Sequence, residues 1–458
     1  MPHFETKIQN KKGCFIKQKR NYSDIIKYLD THWSSPSPEI IITIDKLLGN
    51  ISNSISSIII SGTSGKSTTI HYLTKLLHAE GLKVGSFSSP HFTQYNERLS
   101  INNQLISDET FVQLANTVLD LVDTHNLIAS SKDILTAISL LYFKQEKVDV
   151  ALFEYEEYKQ AKAIILGTPS IVGITRIVTD SQNQTNLITN NILEHVTTNT
   201  HVIAADQSKI LLQEIHSKVN AKKGTWIMPI RKVAPLPYPF EQLHGRCAAL
   251  AERIAQTYIE YYFTNHNTNS LLKAPKKQQG RPNLKIKQLP STNQSSMEEF
   301  WQTVDTTILS NFQIVRNKKS TILLDNAYNI DALQNLLLGI RLLNYKRPFK
   351  NIYFIFGCHD QQFNNNEFIK VMRYFLKKIS GKLALYSTAT TIGEQSGNTW
   401  DTEKIALHIK SAKTSVATSD SFKQAYDLFI KQLHDPQDLL VITGSQTVIS
   451  EYWKLHHD

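Results

Sequence analysis

The chain has 458 residues, 41% of them hydrophobic and 20% charged, with a formal net charge of +10 at pH 7. This length exceeds one ordinary core and predicts two domains, and the charge favours anionic partners without choosing among nucleotides, polycarboxylates, nucleic acids and membrane surfaces. Three widely spaced cysteines and the lack of any apolar run near about 18 residues argue against disulfides, a Cys-based zinc site and a membrane span, so we expect a cytoplasmic protein.

The first elements predicted from the sequence are two short helices. Residues 1–20 form a polar, Lys-rich lead without the apolar segment of a signal peptide. Helical spacing runs from 22 to 29 with a serine cap at its start, and the Ser-Pro run at 34–38 ends that helix. A second short helix is predicted at 40–48, directly before an apolar strand.

The stretch from 57 to 77 predicts a strand, a loop and a helix in succession. An apolar run too short for a helix is followed by a loop with two glycines and then by helical periodicity. The glycines let backbone N–H groups turn toward one point, where the positive helix end and the Lys66 ammonium add charge. Ser67 or Thr68 would supply the hydroxyl that P-loop proteins give to Mg²⁺, which favours a nucleotide seat over an ordinary Gly/Ser turn. The predicted seat consists of Gly62, Thr63, Ser64, Gly65, Lys66, Ser67 and Thr68.

The next strands are predicted to bring more polar groups to the same region. A strand at 83–88 is expected beside the phosphate-loop strand, through a right-handed crossover. The polar loop at 88–107 leaves the carboxyl end of that strand, where open α/β sheets bind ligands. Helices at 108–123 and 134–145 precede an apolar strand that ends in Glu154. A Glu at that end is suited to hold Mg²⁺, and a Glu that only ends a strand is the alternative.

Several separated motifs in this part of the chain resemble, in the same order, those of the folylpolyglutamate synthase and dihydrofolate synthase branch of the Mur ligase superfamily. They are Gly-Thr-Ser-Gly-Lys-Ser-Thr at 62–68, Ser-Pro-His at 89–91, Asn-Glu-Arg at 96–98 and Ile-Ser at 106–107. The resemblance implies ATP and Mg²⁺ as cofactors, with Ser67, Ser89 and Glu154 as metal ligands. It also implies a substrate-binding set of Ser89, Pro90, His91, Asn96, Glu97 and Arg98.

Beyond Glu154 the chain departs from that family's motifs. Ser181 stands where the family has a metal-binding histidine, and His195 stands nearest to a lysine that becomes carbamylated and binds a second Mg²⁺. The resemblance therefore implies that the second-metal site is absent or differently built. His195 as a metal ligand and His195 as an ordinary packed residue both remain open. Cys247 stands roughly where the family places an asparagine against adenine.

A polar stretch near the middle of the chain predicts the domain boundary. After a long helix at 244–263, apolar periodicity is lost from 264 to 281, which predicts domains 1–270 and 271–458. The linker ends in Gly-Arg, which resembles the family's Pro-Gly-Arg and implies that Arg281 reaches the ATP phosphates. A solvated loop arginine is the alternative.

The second domain is predicted to repeat the alternation of strands and helices. Residues 288–318 are expected to be an insertion with one helix at 297–309. The run 325–332 resembles the family's Asp-Gly-Ala-His-Asn-Pro-Asp-Ala, which implies Asp325 near the ribose and Asn329 in the nucleotide site. Tyr328 replaces the family's histidine and cannot carry charge at neutral pH. The predicted strands lie at 321–324, 352–356, 382–387 and 439–443.

The predicted fold class is α/β, with a P-loop-containing parallel-sheet ATPase domain followed by a smaller Rossmann-like domain. The resemblance implies an ATP-dependent ligase that joins a folate-type carboxylate to glutamate through an acyl phosphate, with Lys66, Glu154 and Arg281 as catalytic residues. We expect a monomer that binds neither nucleic acid nor membranes. Two alternatives remain open: a nucleotide-binding homologue that no longer catalyses, and a Mur-type ligase with another acceptor.

Overall fold

The computed structural model describes most of the chain, with gaps. The described residues are 19–34, 37–155, 168–179, 181–205, 207–228, 241–263, 271–272, 292–304, 308–316, 320–346, 348–358, 365–379, 381–388, 400–410 and 415–457. Arg281, Asp180 and most of the predicted lead and linker therefore lie outside the described residues. No helix in the described ranges is both long and apolar enough to cross a membrane.

The first part of the chain forms a large sheet covered by helices. In chain order its elements are α1 Tyr22–Thr31, α2 Pro38–Leu47, β1 Ser57–Ser61, α3 Lys66–Ala79, β2 Val84–Phe87, β3 Leu99–Ile101, β4 Gln104–Leu105, α4 Asp108–Thr124, α5 Ser131–Gln145, β5 Val150–Glu154, β6 Ile171–Ile174, α6 Gln182–Leu193, β7 His201–Ala204, α7 Lys209–Ala221, β8 Thr225–Ile227, α8 Glu241–Tyr261 and α9 Thr292–Thr303. The predicted helices and strands of this part are present, with ends shifted by a few residues.

One local prediction needs correction, and one hairpin was missed. The cap of α1 is Asn21 and not a serine: the Asn21 side chain accepts from the Asp24 N–H at 3.0 Å, and the Asp24 carboxylate accepts from the Asn21 N–H at 3.2 Å. This capping box satisfies two helix-end donors at once, so it sets the start of α1. The hairpin of β3 and β4 was not predicted, although Asn102 and Asn103 both have positive φ, as two-residue hairpin turns require.

The order of strands in the first sheet differs from the prediction at one position. The order is β4-β3-β2-β5-β1-β6-β7-β8, so β5 lies between β1 and β2 and the predicted β1–β2 pairing is wrong. All five residues of β5 are buried, and its mainly apolar sequence suits a central strand covered on both faces. Six neighbouring strands run parallel, in the order β2, β5, β1, β6, β7 and β8. Strands β3 and β4 extend the sheet at the β2 edge and are antiparallel to their neighbours.

The second part forms a smaller sheet of the same class. Its elements are β9 Gln313–Arg316, β10 Thr321–Asp325, α10 Ile330–Lys346, β11 Ile352–Cys358, α11 Asn365–Lys378, β12 Lys382–Ser387, α12 Thr402–Ile409, β13 Ser415–Thr418, α13 Phe422–Ile430, β14 Leu439–Gly444 and α14 Gln446–His457. The sheet order is β13-β12-β11-β14-β10-β9, and only β9 is antiparallel to its neighbour. Two parallel-rich sheets confirm the predicted α/β class.

Helix α9 packs with the first sheet and not with the second. It spans Thr292–Thr303, earlier than the predicted 297–309. Trp301 is fully buried, with its ring edge-to-face against Tyr72 of α3 at 5.6 Å and its indole N–H on Glu252 of α8 at 2.8 Å. Ile308 belongs to the same apolar cluster. The boundary after residue 270 stays a prediction, and we propose from this packing that the boundary lies near residue 310.

Candidate active site

The phosphate loop follows β1 at the carboxyl edge of the first sheet, and its two glycines occupy positions that other residues do not fit. Gly62 has φ +127°, and a Cβ on it would lie 2.2 Å from Thr175 Oγ1. Gly65 has φ +87°, and a Cβ there would lie 2.6 Å from Cys247 Sγ. The loop therefore needs glycine both for its backbone conformation and for the close approach of its neighbours.

The donors available to an anion are concentrated at the start of α3. The N–H groups of Thr63 and Ser64 both donate to the Arg176 carbonyl, at 2.9 and 3.2 Å. The first N–H groups of α3, which begins at Lys66, have no partner within the helix, and the helix dipole is positive there. The turn from Gly65 onward is therefore the part of the loop suited to hold an anion, and the anion seat stays a prediction. The Lys66 ammonium lies across the same loop and donates to the Gly62 carbonyl at 2.8 Å.

Glu154 faces the phosphate loop, as the sequence predicts. Its Oε2 atom accepts from Ser67 Oγ at 3.1 Å and from the Ser89 N–H at 3.4 Å. The three predicted metal ligands thus meet at one point between β1 and β5. A hydroxyl and a carboxylate beside a phosphate seat fit Mg²⁺, which prefers oxygen ligands and keeps several waters. The Ser89 hydroxyl itself accepts from Arg98 Nη1 at 2.9 Å.

The two remaining positions of the implied second-metal site have other contacts. Ser181 is the N-cap of α6 and accepts from the Gln184 N–H at 3.3 Å. The His195 ring packs edge-on against Tyr155, with centroids 5.0 Å apart. Among the described residues no group of three or more His, Cys, Asp and Glu side chains is arranged to hold a metal. Ser181 and His195 thus each have a local contact, and both His195 as a metal ligand and the fate of a second metal stay predictions.

Within the polar loop at 88–107, Glu97 and Asn96 hold the backbone in place. The Glu97 carboxylate accepts the N–H groups of Phe92, Thr93 and Gln94, at 2.6, 2.9 and 3.0 Å. Asn96 is buried and donates to the Asp108 carboxylate at 2.8 Å. Because these polar atoms are engaged within the protein, they shape the loop, and their direct contact with a substrate stays a prediction.

Arg98 organises the other half of the loop. It is buried over the Trp33 and Tyr95 rings, at 5.1 and 5.8 Å, and its Nε donates to His91 Nδ1 at 2.8 Å. An arginine only donates, so His91 Nδ1 must accept and its proton must lie on Nε2. Burial and then the nearby Arg98 charge lower the pKa of His91 to about 3, which keeps the ring neutral. Pro90 lies between His91 and Ser89, in a cis peptide bond with Ser89.

The second sheet contacts this loop directly. The Gln446 side chain at the start of α14 donates to the His91 carbonyl, and Ser450 Oγ donates to the Phe92 carbonyl at 2.5 Å. The Phe92 side chain packs against the core of the second sheet. Sequence reasoning missed Gln446 and Ser450, because no motif marks a residue whose role is to reach another domain.

The predicted nucleotide residues of the second domain divide into two groups. Asn329 lies at the cleft: its Oδ1 caps α10 through the Ala332 N–H at 2.8 Å, and its Nδ2 donates to the Thr63 carbonyl at 3.4 Å. The Asp325 carboxylate instead accepts from the Phe312 N–H at 2.8 Å. Burial raises the pKa of Asp325 to about 7, so this group is less acidic than an exposed aspartate. A ribose contact by Asp325 stays a prediction.

A small cavity lies between the phosphate loop and α10. Its volume is about 80 Å³, and its lining includes Ser64, Gly65, Arg176, Cys247, Asp331 and Asn335. Burial raises the pKa of Cys247 to about 11, so the residue in the place of the family's asparagine is a neutral thiol. Arg176 and Asp331, which sequence reasoning did not select, pair at 3.3 Å across the cavity. Arg281, which was selected, lies outside the described residues.

Comparison with known proteins agrees with the fold and with the motifs. Residues 312–446 match the family model "Mur ligase, glutamate ligase domain". A dihydrofolate synthase/folylpolyglutamate synthase of Bacillus subtilis is 28% identical over 222 residues, 47% of this chain and 49% of that protein. A second one, from Haemophilus influenzae, is 40% identical over 97 residues, 21% of this chain and 22% of that protein. The sequence matches thus span about half or less of these curated relatives.

The likeness in structure extends further than the likeness in sequence. A folylpolyglutamate synthase of Mycobacterium tuberculosis, solved with ADP and AMPPCP, superposes with a TM-score of 0.73 at 17% identity and covers 95% of this chain and 98% of that one. At this identity the superposition shows the shared two-sheet fold. Residues 312–446 thus match the Mur ligase glutamate ligase domain, and the chain is similar in part of its sequence to dihydrofolate synthase/folylpolyglutamate synthases and in its fold to a folylpolyglutamate synthase.

Proposed function

We propose that this protein is an ATP-dependent ligase that forms an amide between a folate-type carboxylate and the amino group of glutamate. The single observation that carries the proposal is the meeting of Ser67 and Glu154 at the N-terminus of α3, 3.1 Å apart. A hydroxyl and a carboxylate beside a positive helix end and a lysine suit a metal-bound polyphosphate better than any other common ligand.

The reaction that fits this seat needs positioning and charge neutralisation and no nucleophilic side chain. A substrate carboxylate oxygen attacks the γ-phosphorus of ATP, the bond to ADP breaks, and an acyl phosphate forms. The glutamate nitrogen then attacks the acyl carbon, phosphate leaves, and the amine loses a proton. Bound Mg²⁺ would neutralise phosphate charge, held by Ser67 and Glu154.

The protein's own groups have separable roles in this scheme. The turn from Gly65 to Thr68 binds phosphate oxygens through backbone N–H groups, and Lys66 would leave the Gly62 carbonyl to bind them. The neutral His91 presents an Nε2–H donor beside the loop, suited to an acceptor on the carboxylate substrate. Asn329 and Arg281 are proposed to reach the nucleotide from the second domain, whose approach would exclude water from the acyl phosphate.

The alternative of a nucleotide-binding homologue without catalysis is favoured by a specific observation. Ser181 and His195 have structural contacts at positions where the family binds metal. Such a protein would keep the phosphate seat and bind nucleotide without turnover. We also infer a monomer in a reducing cytoplasm; the reducing compartment is supported by Cys247 and Cys358, neither of which forms a disulfide among the described residues.

The decisive experiment measures ADP and phosphate release by the purified full chain with Mg²⁺, glutamate and either dihydropteroate or a reduced folate. Lys66→Ala removes the charge from the phosphate seat and should abolish release. Lys83→Ala is the matched control, because that lysine pairs with Glu146 on the surface and exposed pairs contribute at most about 1 kcal/mol.

The outcomes separate the two functions. Release that requires the carboxylate substrate, persists in Lys83→Ala and disappears in Lys66→Ala supports the ligase. Tight ATP binding with no turnover for either carboxylate contradicts it and supports the non-catalytic homologue.

A further inference from the structure

One short segment of the second domain reaches across the cleft to the phosphate loop. Between β10 and α10, the Tyr328 hydroxyl donates to the Thr63 carbonyl, and Asn329 Nδ2 reaches the same oxygen at 3.4 Å. Three residues further on, the buried Asp331 pairs with Arg176 Nη2 at 3.3 Å. Both contacts connect the second domain to the two loops that border the nucleotide seat.

Those two loops are themselves joined into one unit. The Thr63 N–H and hydroxyl both donate to the Arg176 carbonyl, at 2.9 and 3.1 Å. The Val178 N–H in turn donates to Thr63 Oγ1 at 2.8 Å. Because Thr63 and Arg176 are hydrogen-bonded to each other, Tyr328 and Asp331 contact the same pair of joined loops from the opposite side of the cleft.

With these contacts made, the cavity beside the seat is smaller than a typical ligand pocket. The cavity that Ser64, Gly65, Arg176 and Asp331 help to line has a volume of about 80 Å³. Pockets for small-molecule ligands and cofactors typically measure about 300–1,000 Å³. A nucleoside next to Gly65 therefore requires that the segment carrying Tyr328 and Asp331 move away.

We propose that Tyr328 and Asp331 form a latch that docks the second domain on the phosphate loop, and that nucleotide binds only when this latch opens. The proposal rests on the nucleotide site of the proposed function. Nucleotide affinity is then reduced by the fraction of molecules in which the latch is closed. A tyrosine serves this purpose through its hydroxyl, which a phenylalanine of nearly the same shape lacks.

The test compares two variants that each remove one tyrosine hydroxyl. Tyr328→Phe removes the bond to the phosphate loop, whereas Tyr345→Phe removes an exposed hydroxyl on α10, away from the interface between the two sheets. Binding of fluorescent Mg-ADP is measured by titration of the full chain. We expect about three- to tenfold tighter binding in Tyr328→Phe, since one hydrogen bond contributes about 0.5–1.5 kcal/mol, and no change in Tyr345→Phe.

A second variant tests the other half of the latch. Asp331→Asn should also tighten the binding of Mg-ADP. In the double variant with Tyr328→Phe, the gain in affinity should be smaller than the two single gains combined, because both contacts hold one closed state. Equal affinity in wild type and Tyr328→Phe, or an equal gain in Tyr345→Phe, overturns the latch and leaves the proposed function standing. Absence of binding in wild type and in every variant overturns both proposals.

Discussion

The conformation of the phosphate loop depends on one residue, Gly62. Its φ of +127° is unfavourable for any other residue, and a Cβ would collide with Thr175. Gly81 offers a matched control, because its φ is +89° and a Cβ there meets nothing within 4 Å. We expect Gly62→Ala to lower the free energy of unfolding by roughly 1–3 kcal/mol more than Gly81→Ala, in urea titrations. Equal losses would show that the loop adapts to a side chain.

Asp325 predicts a pH dependence of stability that can be isolated. Burial raises its pKa from 3.8 to about 7 in the folded protein, so the folded state binds its proton more tightly than the unfolded state. The contribution of Asp325 to the free energy of unfolding therefore falls as pH rises from about 4 to about 7 and is level above that. One pKa unit corresponds to about 1.4 kcal/mol, so the change amounts to a few kcal/mol at most.

The measurement is urea unfolding at pH 5 and pH 8 in wild type and in Asp325→Asn. The asparagine keeps an oxygen that accepts the Phe312 N–H and cannot ionise. We expect the variant to lose less stability than wild type between the two pH values. The same loss in both proteins would mean that Asp325 titrates at an ordinary pKa.

At the residue scale, the sequence predicted the site residues that lie in continuous motifs and missed the site residues that lie outside them. Ser67 and Glu154 are 87 positions apart, yet both were selected, because Glu154 ends one strand and Ser67 lies in the turn after another, at the same edge of the sheet. Arg176 also follows such a strand, but no motif marks it. Its role depends on the pairing with Asp331, which only the docking of two domains creates.

At the scale of elements, α9 supports the helix that carries the phosphate loop. Its Trp301 is fully buried between Tyr72 of α3 and Glu252 of α8. We expect Trp301→Ala to lower the free energy of unfolding by about 3–5 kcal/mol, because it opens a large cavity. The exposed Tyr345→Ala serves as the control and should change it by less than about 0.5 kcal/mol.

Thermal and urea unfolding of these two variants test the role of α9. If Trp301→Ala unfolds like Tyr345→Ala, α9 does not contribute to the apolar core of the first sheet. The sequence predicted a helix near this position but placed it five residues late, since polar residues at its start hide the apolar periodicity.

At the scale of the whole molecule, the position of the domain boundary is open to a direct test. A chain ending at residue 270 lacks Leu272, Met297, Trp301 and Ile308, which belong to the apolar cluster that packs α9 against α3 and α8. A chain ending at residue 311 keeps all of them. We expect the longer chain to melt cooperatively and at a clearly higher temperature than the shorter one, by circular dichroism. Equal melting temperatures would favour the boundary after residue 270.

The sequence by itself determined the class of fold, the order of its strands and helices along the chain, and the glycine loop at the start of α3. Those features follow from local periodicity, from glycine at strict backbone positions and from short motifs. The tertiary structure decided that β5 separates β1 from β2, that α9 packs with the first sheet, that Tyr328 meets the phosphate loop, and that Asp331 meets Arg176 beside it. Each of these depends on contacts between residues distant in sequence, whose packing free energy no local pattern encodes.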